Sequence, residues 1–554
     1  MRPSRSIFAA LSAAALASTF SSACSTPVVA VNVVVVTTAC PQALSLDLQR
    51  APTAGVTTLH FNLTGDDLPA GGLAQDVPFA NNGGSIPNVP IGKNRRITCE
   101  ARVGGMVRAR ADSGPFDVGA GGGDLNLTLF LRVVDAFVFT GNASSSACTH
   151  LITPRAGHQM TQLADGRVLI TGGYNIDAQS VLHYLSQAEL YNPRDGTFVN
   201  VAGEEAYPRA NHLAVPVTVS GQGSVLLLGG EGPSNGGEGP VASFELYQGG
   251  VFNSLAFPSM DTPRERAGMA VDQKTGYPVL AGGANGPEVL AGVSPSDAIT
   301  YFNPTLSSMT PNPEPLAQAL ADAVAVGPKN TAANNIQGGI VLLGGTDVNG
   351  NASAQISGLV FNDPQHEYVP VVDFEHAPLN ALPSPRVHHS AVVAGDDTIF
   401  VLGGSTVSND SAYTHTTAAV TVVNRSQSIV GNATENLSQA RADGCAVLLQ
   451  TSGSQPAPIL YIGGATGDSH GARSTASVDF IAPSGLSSTV RALQGPTGGG
   501  NWALQSSRHH EACLTMADGT VLVTGGLQFN GASGTVVTVG SAEIYTPPGA
   551  AATH

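Results

Sequence analysis

A short apolar strand ending in a glycine pair returns seven times along this 554-residue chain. The copies are Val168–Gly173, Val225–Gly230, Pro278–Gly283, Ile340–Gly345, Ile399–Gly404, Ile459–Gly464 and Val521–Gly526. Successive first glycines, from Gly172 to Gly525, are 57, 53, 62, 59, 60 and 62 residues apart. A period of this size marks a repeat architecture in which each copy is one supersecondary unit. Seven β-rich units fit a seven-bladed β-propeller. A phosphate cradle would need a helix after the glycines. No helical period follows any copy, so the pairs read as backbone devices where the strand turns sharply.

Bulk properties narrow the class further. At 554 residues, 42% of them apolar, the chain outgrows one ordinary core and must split into domains or repeats. A formal net charge of −16 argues against nucleic acid and against an anionic membrane surface, which both need a basic footprint.

The first residues read as a targeting segment rather than as structure. Arg2 and Arg5 precede the apolar run Ile7–Phe20, which is too short to span a bilayer. Ser21-Ser-Ala-Cys24 then resembles the lipobox of bacterial lipoproteins. That resemblance implies removal of residues 1–23, lipidation of Cys24 and anchoring in the bacterial cell envelope, at the outer membrane. Cleavage after Ala23 would instead give a periplasmic or secreted chain. The membrane is met only through this lipid. Removing Arg2 and Arg5 takes the charge to 22 − 40 = −18.

Thr26–Val134 contains no apolar strand ending in a glycine pair, and residues 24–134 are set apart as a separate domain. Thr58–Leu63 and Asn126–Arg132 alternate with period two, as half-buried strands do. This stretch is expected to form a small β-sandwich. Cys40 and Cys99 fall on its strands or their edges and are expected to pair as a disulfide. Cys445 and Cys513 lie four and five residues after Arg441 and Arg508. Alternation then points them to opposite faces, and both are expected to be free and buried.

Blade 1 can be followed through four strands: Gln159–Leu163, Val168–Gly173, Glu189–Pro193 and the stretch opened by Asp195-Gly-Thr-Phe198. The glycine pair, the aromatic a strand later (Tyr191, Tyr247, Phe302, Phe361, Phe480, Tyr545) and the aromatic near the fourth strand resemble the kelch repeat. The resemblance implies an all-β, seven-bladed kelch-type β-propeller over residues 135–550, preceded by the β-sandwich. The chain ends after a third strand, Ser541–Pro547. Asp135–Gly141 resembles a fourth strand and is expected to complete blade 7, which would cover its open edge.

Candidate chemistry is sparse. The motifs Gly-x-Ser-x-Gly, His-Glu-x-x-His and Cys-x-x-Cys do not occur. His158, His212 and His389 each sit three residues after an arginine, a repeat phase that suits structural hydrogen bonds better than metal ligation. The clusters His388-His389 and His509-His510-Glu511 could in principle supply metal ligands or a general base. Asp347–Ser353 alternates oxygen ligands like a calcium loop but has one carboxylate, so it reads as a polar turn. No metal and no cofactor is expected.

Arginine stands at the head of the inner strand in six blades: Arg155, Arg209, Arg264, Arg386, Arg441 and Arg508. Two readings follow. The six guanidiniums ring one mouth of the propeller and hold carboxylates or phosphates, as arginines do in some kelch domains. Alternatively, each arginine braces its neighbour's loop carbonyls, as repeat-phased residues usually do. The expected function is a monomeric, non-enzymatic binding or scaffold module for a protein or anionic ligand at the cell surface. The alternative is a propeller enzyme acting on a sugar or polysaccharide, like galactose oxidase or a sugar epimerase. An aromatic content of 5% with one tryptophan weighs against ring stacking on sugars.

Overall fold

The computed structural model describes residues 28–37 and 55–548, except 70, 80–82, 120–124, 143–146, 206, 235–236, 254–259, 261–262, 287–293, 306–307, 330–337, 372–378, 451–455, 494–502 and 531–534. The targeting segment, Cys24 and Cys40 lie outside the described residues.

Of seven four-stranded sheets, the first six follow the sequence order strand by strand. In blade 1 these are Gln159–Gln162, Val168–Thr171, Glu189–Asn192 and Thr197–Asn200, all antiparallel. The second strand of a blade is buried along its whole length, as in Ile399–Leu402 and Ile459–Ile462. Neighbouring blades cover both its faces, which is why these strands are continuous apolar runs without alternation.

Blade 7 is completed from the other end of the propeller. Ala136–Phe139 pairs antiparallel with Ala542–Thr546, after Ala512–Thr515 and Val521–Thr524. The edge that the C-terminal strand would expose is therefore paired.

The glycine pair staples a blade to the next at six of the seven joints. Both glycines have positive φ, 57° and 93° at Gly172 and Gly173. The Gly173 N–H donates to the Arg209 carbonyl of blade 2 at 2.8 Å. The Gly526 N–H donates to the Arg155 carbonyl at 2.9 Å, closing the circle from blade 7 to blade 1. A Cβ on Gly172 would overlap the Arg209 carbonyl oxygen. Left-handed backbone and close approach together restrict the position to glycine.

The N-terminal domain is a single curled sheet rather than two stacked ones. Its strand order is Leu73–Pro78, Thr58–Thr64, Gly92–Val103, Met106–Asp112, Leu125–Val133, Val28–Thr37, Gly83–Pro90, and it nearly closes. Leu59, Phe61, Leu63, Ile97, Cys99 and Ala101 fill one interior. One apolar face per strand needs only one enclosed core, which curling supplies without a second sheet. The domain rests on the propeller through Arg96, whose Nη2 donates to the Ala517 carbonyl at 3.2 Å, and through an Arg194 bond to the Pro115 carbonyl.

Two sulfur expectations are corrected. Cys99 is a free thiol inside the curled sheet, fully buried, and burial pushes it up to about 12. It is not paired with Cys40. Cys445 and Cys513 form a disulfide, with Cα atoms 6.1 Å apart. Adjacent blades stack the front of one sheet on the back of the next. Residues that meet across the joint therefore lie on opposite faces of their own sheets, and the one-residue offset brings these two together.

Candidate functional site

The arginine ring is internal. Arg155, Arg209, Arg264, Arg386, Arg441 and Arg508 are each at most 1% exposed. Arg155 Nη1 donates to the Gly172 carbonyl at 2.8 Å, and Nη2 donates to Glu189 at 2.7 Å. Arg209 meets Glu245 at 2.8 Å, Arg441 meets Asp479 at 2.7 Å, and Arg508 meets Glu543 at 2.6 Å. Arg264 and Arg386 donate instead to Thr300 and Thr421 hydroxyls. Each guanidinium thus ties the second strand or its glycine turn to the third strand of its own blade. None of the six faces an external ligand, and the expected anion-binding mouth is corrected to an internal brace. Blade 4 has Leu320 at the arginine position and Leu359 where the partner would stand, and both belong to one apolar cluster.

His158 and His212 are pins between blades. The His158 ring bonds the Thr524 hydroxyl of blade 7 at 2.7 Å, and the His212 ring bonds Thr171 of blade 1 at 2.9 Å. Burial, then Arg155, holds His158 down at about 3. Both are structural, as their repeat phase suggests. The Asp347 carboxylate accepts the Asn349 and Asn351 N–H groups at 2.9 Å, so this segment is a polar turn. No group of three or more histidine, cysteine or acidic side chains suited to a metal occurs among the described residues.

The residues that line the candidate site stand two places after the arginine. The seven equivalents are Gly157, Asn211, Arg266, Asp322, His388, Asp443 and His510, and all have φ between 51° and 62°. Their backbones join into a collar around the propeller axis. Asn211 N–H donates to Gly157 O and Asp322 N–H to Arg266 O, both at 2.8 Å. Asp443 N–H donates to His388 O at 2.9 Å and His510 N–H to Asp443 O at 3.0 Å. At these joints the left-handed turn lets a blade hand its amide to the one before, and Gly157 N–H reaches back to His510 O at 3.5 Å.

Side chains meet on both sides of this collar. Across blades 5, 6 and 7, Asp443 lies 3.1 Å from His388 Nδ1 and 3.0 Å from His510 Nε2. The Tyr413 hydroxyl donates to the same carboxylate at 2.7 Å. The imidazoles are about a third exposed, at 31% and 30%, whereas Asp443 is 9% exposed. Burial pushes the Asp443 carboxyl up, but His510 and His388 outweigh it and hold it well below the usual range. His509 stacks on Phe529 with ring centroids 4.7 Å apart, behind Tyr413. On the opposite side, Arg266 pairs with Asp322 at 2.8 Å, and Asn211 donates to Glu231 at 2.7 Å.

Paired strands that follow the glycine pairs wall the mouth. They are Tyr174–Ile176 with Leu182–Tyr184, Glu231–Ser234 with Gly237–Pro240, Ala465–Asp468 with Gly471–Ser474, and Leu527–Phe529 with Val536–Thr538. They brace one another, as where the Phe529 N–H donates to the Ser474 hydroxyl at 3.0 Å. The sequence reading singled out His388, His509 and His510 but missed Asp443, Tyr413, Arg266 and Glu231. The available signal was polarity. The position two after the arginine reads Gly, Asn, Arg, Asp, His, Asp and His around the ring, so six of its seven side chains are polar.

No protein-family model and no curated relative matches the sequence. The solved structure of YjhT aligns with 62% of this chain and 99% of its own, at 14% identity and a TM-score of 0.42.

Proposed function

We propose that the chain is an exported, kelch-type binding module of the bacterial cell envelope that holds a small polar ligand at the axial mouth of its propeller. Export and anchoring rest on Arg2, Arg5, the apolar run Ile7–Phe20 and Cys24. One observation carries the binding reading. At the axial position six of the seven side chains are polar and of four kinds, while the buried arginines two places before it brace the ring. Binding residues belong where repeats diverge on one face.

The mouth carries Asp322, Asp443 and Glu231 against Arg266, and the six braced arginines contribute nothing to it. A ligand rich in hydroxyl or positively charged groups fits this balance better than an anion. Binding is favoured over catalysis because Asp443 already serves three partners and is held far below neutrality, which makes it a poor proton acceptor. The supporting experiment is diethyl pyrocarbonate modification of His388 and His510, read by mass spectrometry, during a screen of sugars, polyamines and acidic peptides. A ligand of this mouth protects both histidines and loses affinity on His510→Ala. A tight ligand that leaves both equally reactive overturns the reading.

A further inference from the structure

Glu265 departs from its repeat in a way that no packing role explains. The position directly after the arginine holds Ala156, Ala210, Ala321, Val387 and Ala442 in five blades. These side chains are completely buried. Blade 7 places His509 there, and its ring bonds the Ser474 hydroxyl at 2.9 Å. Blade 3 places Glu265, which is 1% exposed, with neither carboxylate oxygen hydrogen-bonded. An unpartnered carboxylate at a position where alanine suffices costs stability.

The surroundings of Glu265 are polar and also incomplete. Burial, then Glu231, pushes its carboxyl up to about 7, with Glu238 and Asp322 adding to the rise and Arg266 opposing it. Glu231 rises to about 7 through burial and then Glu238. Tyr184, from the paired strands above blade 1, senses Glu231, Glu238 and Glu265, and its buried hydroxyl has no hydrogen-bond partner. Tyr174 stands edge-on to Tyr184 with ring centroids 6.4 Å apart. Orphaned oxygens from blades 1 and 3 thus face a cluster that also holds two carboxylates of blade 2. Anions repel one another here, and aromatic faces stand beside them.

We propose that this side of the mouth binds an organic cation: an alkylammonium or guanidinium group seated on Glu265 and Glu231 against Tyr184. The cation supplies the donors that Glu265 and Tyr184 lack, neutralises the carboxylates and lies beside aromatic rings. This rests on the reading of the axial mouth as the binding site.

The test is calorimetric titration of the mature chain with agmatine, and with butylurea as a neutral mimic, at physiological salt so that unspecific attraction to an acidic protein is screened. Agmatine is expected to bind saturably and butylurea not to bind. Glu265→Gln should weaken agmatine about ten-fold or more, and Glu231→Gln should weaken it less. In the ligand-free protein, Glu265→Ala should raise the melting temperature, because it restores the residue of the sister blades. The absence of saturable agmatine binding overturns the proposal, as does binding that survives both glutamine variants. If agmatine binding survives both but falls with His510→Ala, the cation site is wrong and the mouth reading stands. If binding responds to neither change and the two histidines stay reactive, both readings fail.

Discussion

Phe137 lies directly opposite Tyr545 across the last ladder of blade 7, with ring centroids 5.2 Å apart. The two rings join the strand that precedes blade 1 to the strand that ends blade 7. Tyr545 also donates its hydroxyl to Asp135 at 2.8 Å, at the start of the same closing segment. Phe137 is 1% exposed and Tyr545 is fully buried. Phe137→Ala is expected to cost about 3–5 kcal/mol. Phe198→Ala, the equivalent change within the continuous chain of blade 1, acts on a half-buried ring and should cost less. Denaturant midpoints compare the two. Equal losses would mean that ring closure has no special dependence on this contact.

Cys445 and Cys513 tie blade 6 to blade 7 across a sequence separation of 68 residues. In the chain-entropy picture a loop of that size stabilises the fold by about 4 kcal/mol. Cys445→Ser and Cys513→Ser should each lower the denaturation midpoint, and by the same amount as each other. Reduction should have no further effect on either variant at this joint. A reduced wild type as stable as the oxidised one would show that packing between the blades suffices.

Buried Arg508 and Glu543 allow a sharper comparison. Arg508→Ala strands a buried carboxylate and should cost about 3–5 kcal/mol. Arg386 donates to the neutral Thr421 hydroxyl, so Arg386→Ala strands no charge and should cost less. The double variant Arg508→Ala/Glu543→Ala should recover part of the first loss. Equilibrium unfolding of the four proteins decides the matter. An Arg508→Ala variant of wild-type stability would remove the bracing role.

The architecture was written plainly in the sequence because one constraint repeats. Only glycine fits where Gly172 meets the Arg209 carbonyl, and the same meeting recurs at Gly282, Gly344, Gly403, Gly463 and Gly525. The closing strand was legible too, since Phe137 copies the phase of Phe198. The role of the arginines was not, because a single position gives phase without partner. The partner was nevertheless written down. Glu189, Glu245, Thr300, Thr421 and Glu543 stand two residues before the third-strand aromatic or its equivalent, and blade 4 replaces both members by Leu320 and Leu359. Correlated loss within one chain points to contact between the two positions. The free state of Cys99 and the Cys445–Cys513 bond depended on sheet curvature and on how blades stack, which alternation along one strand does not contain. Tyr413 reaches Asp443 from the loop after the blade 5 glycine pair, a segment with no repeat phase to place it.

Two buried carboxyls make stability fall with rising pH. Burial is the main cause at Glu205 and Glu511, and each carboxyl is pushed up to about 8 from 4.5. At Glu511, Arg508 and Arg441 oppose the rise and Asp443 adds to it. A raised carboxyl contributes stability that is complete below the unfolded value and lost as pH climbs through the folded one. The window therefore runs from pH 4.5 to about 8. Buried His158, held at about 3 against 6.5, acts oppositely, but only as pH falls below 6.5. Between pH 6.5 and about 8 the carboxyl effect stands alone for these groups. Melting temperature should drop across that interval, and Glu511→Gln should flatten the drop. An identical slope in wild type and variant would remove Glu511 as a source.

Asp443 works in the other direction. Its carboxyl is depressed, so its contribution is present above 3.8 and disappears as pH falls through the folded value. Tyr413→Phe removes one hydrogen bond to a charged acceptor, worth about 1.5–3 kcal/mol, and leaves the two imidazoles in place. Asp443→Asn removes the charge that His388 and His510 share and should cost more than Tyr413→Phe at neutral pH. At a pH low enough to protonate Asp443 in the wild type, the gap between wild type and Asp443→Asn should close. Thermal melts of the three proteins across that range check this. A gap that stays constant down to the acid limit would show that Asp443 acts through packing and not through its charge.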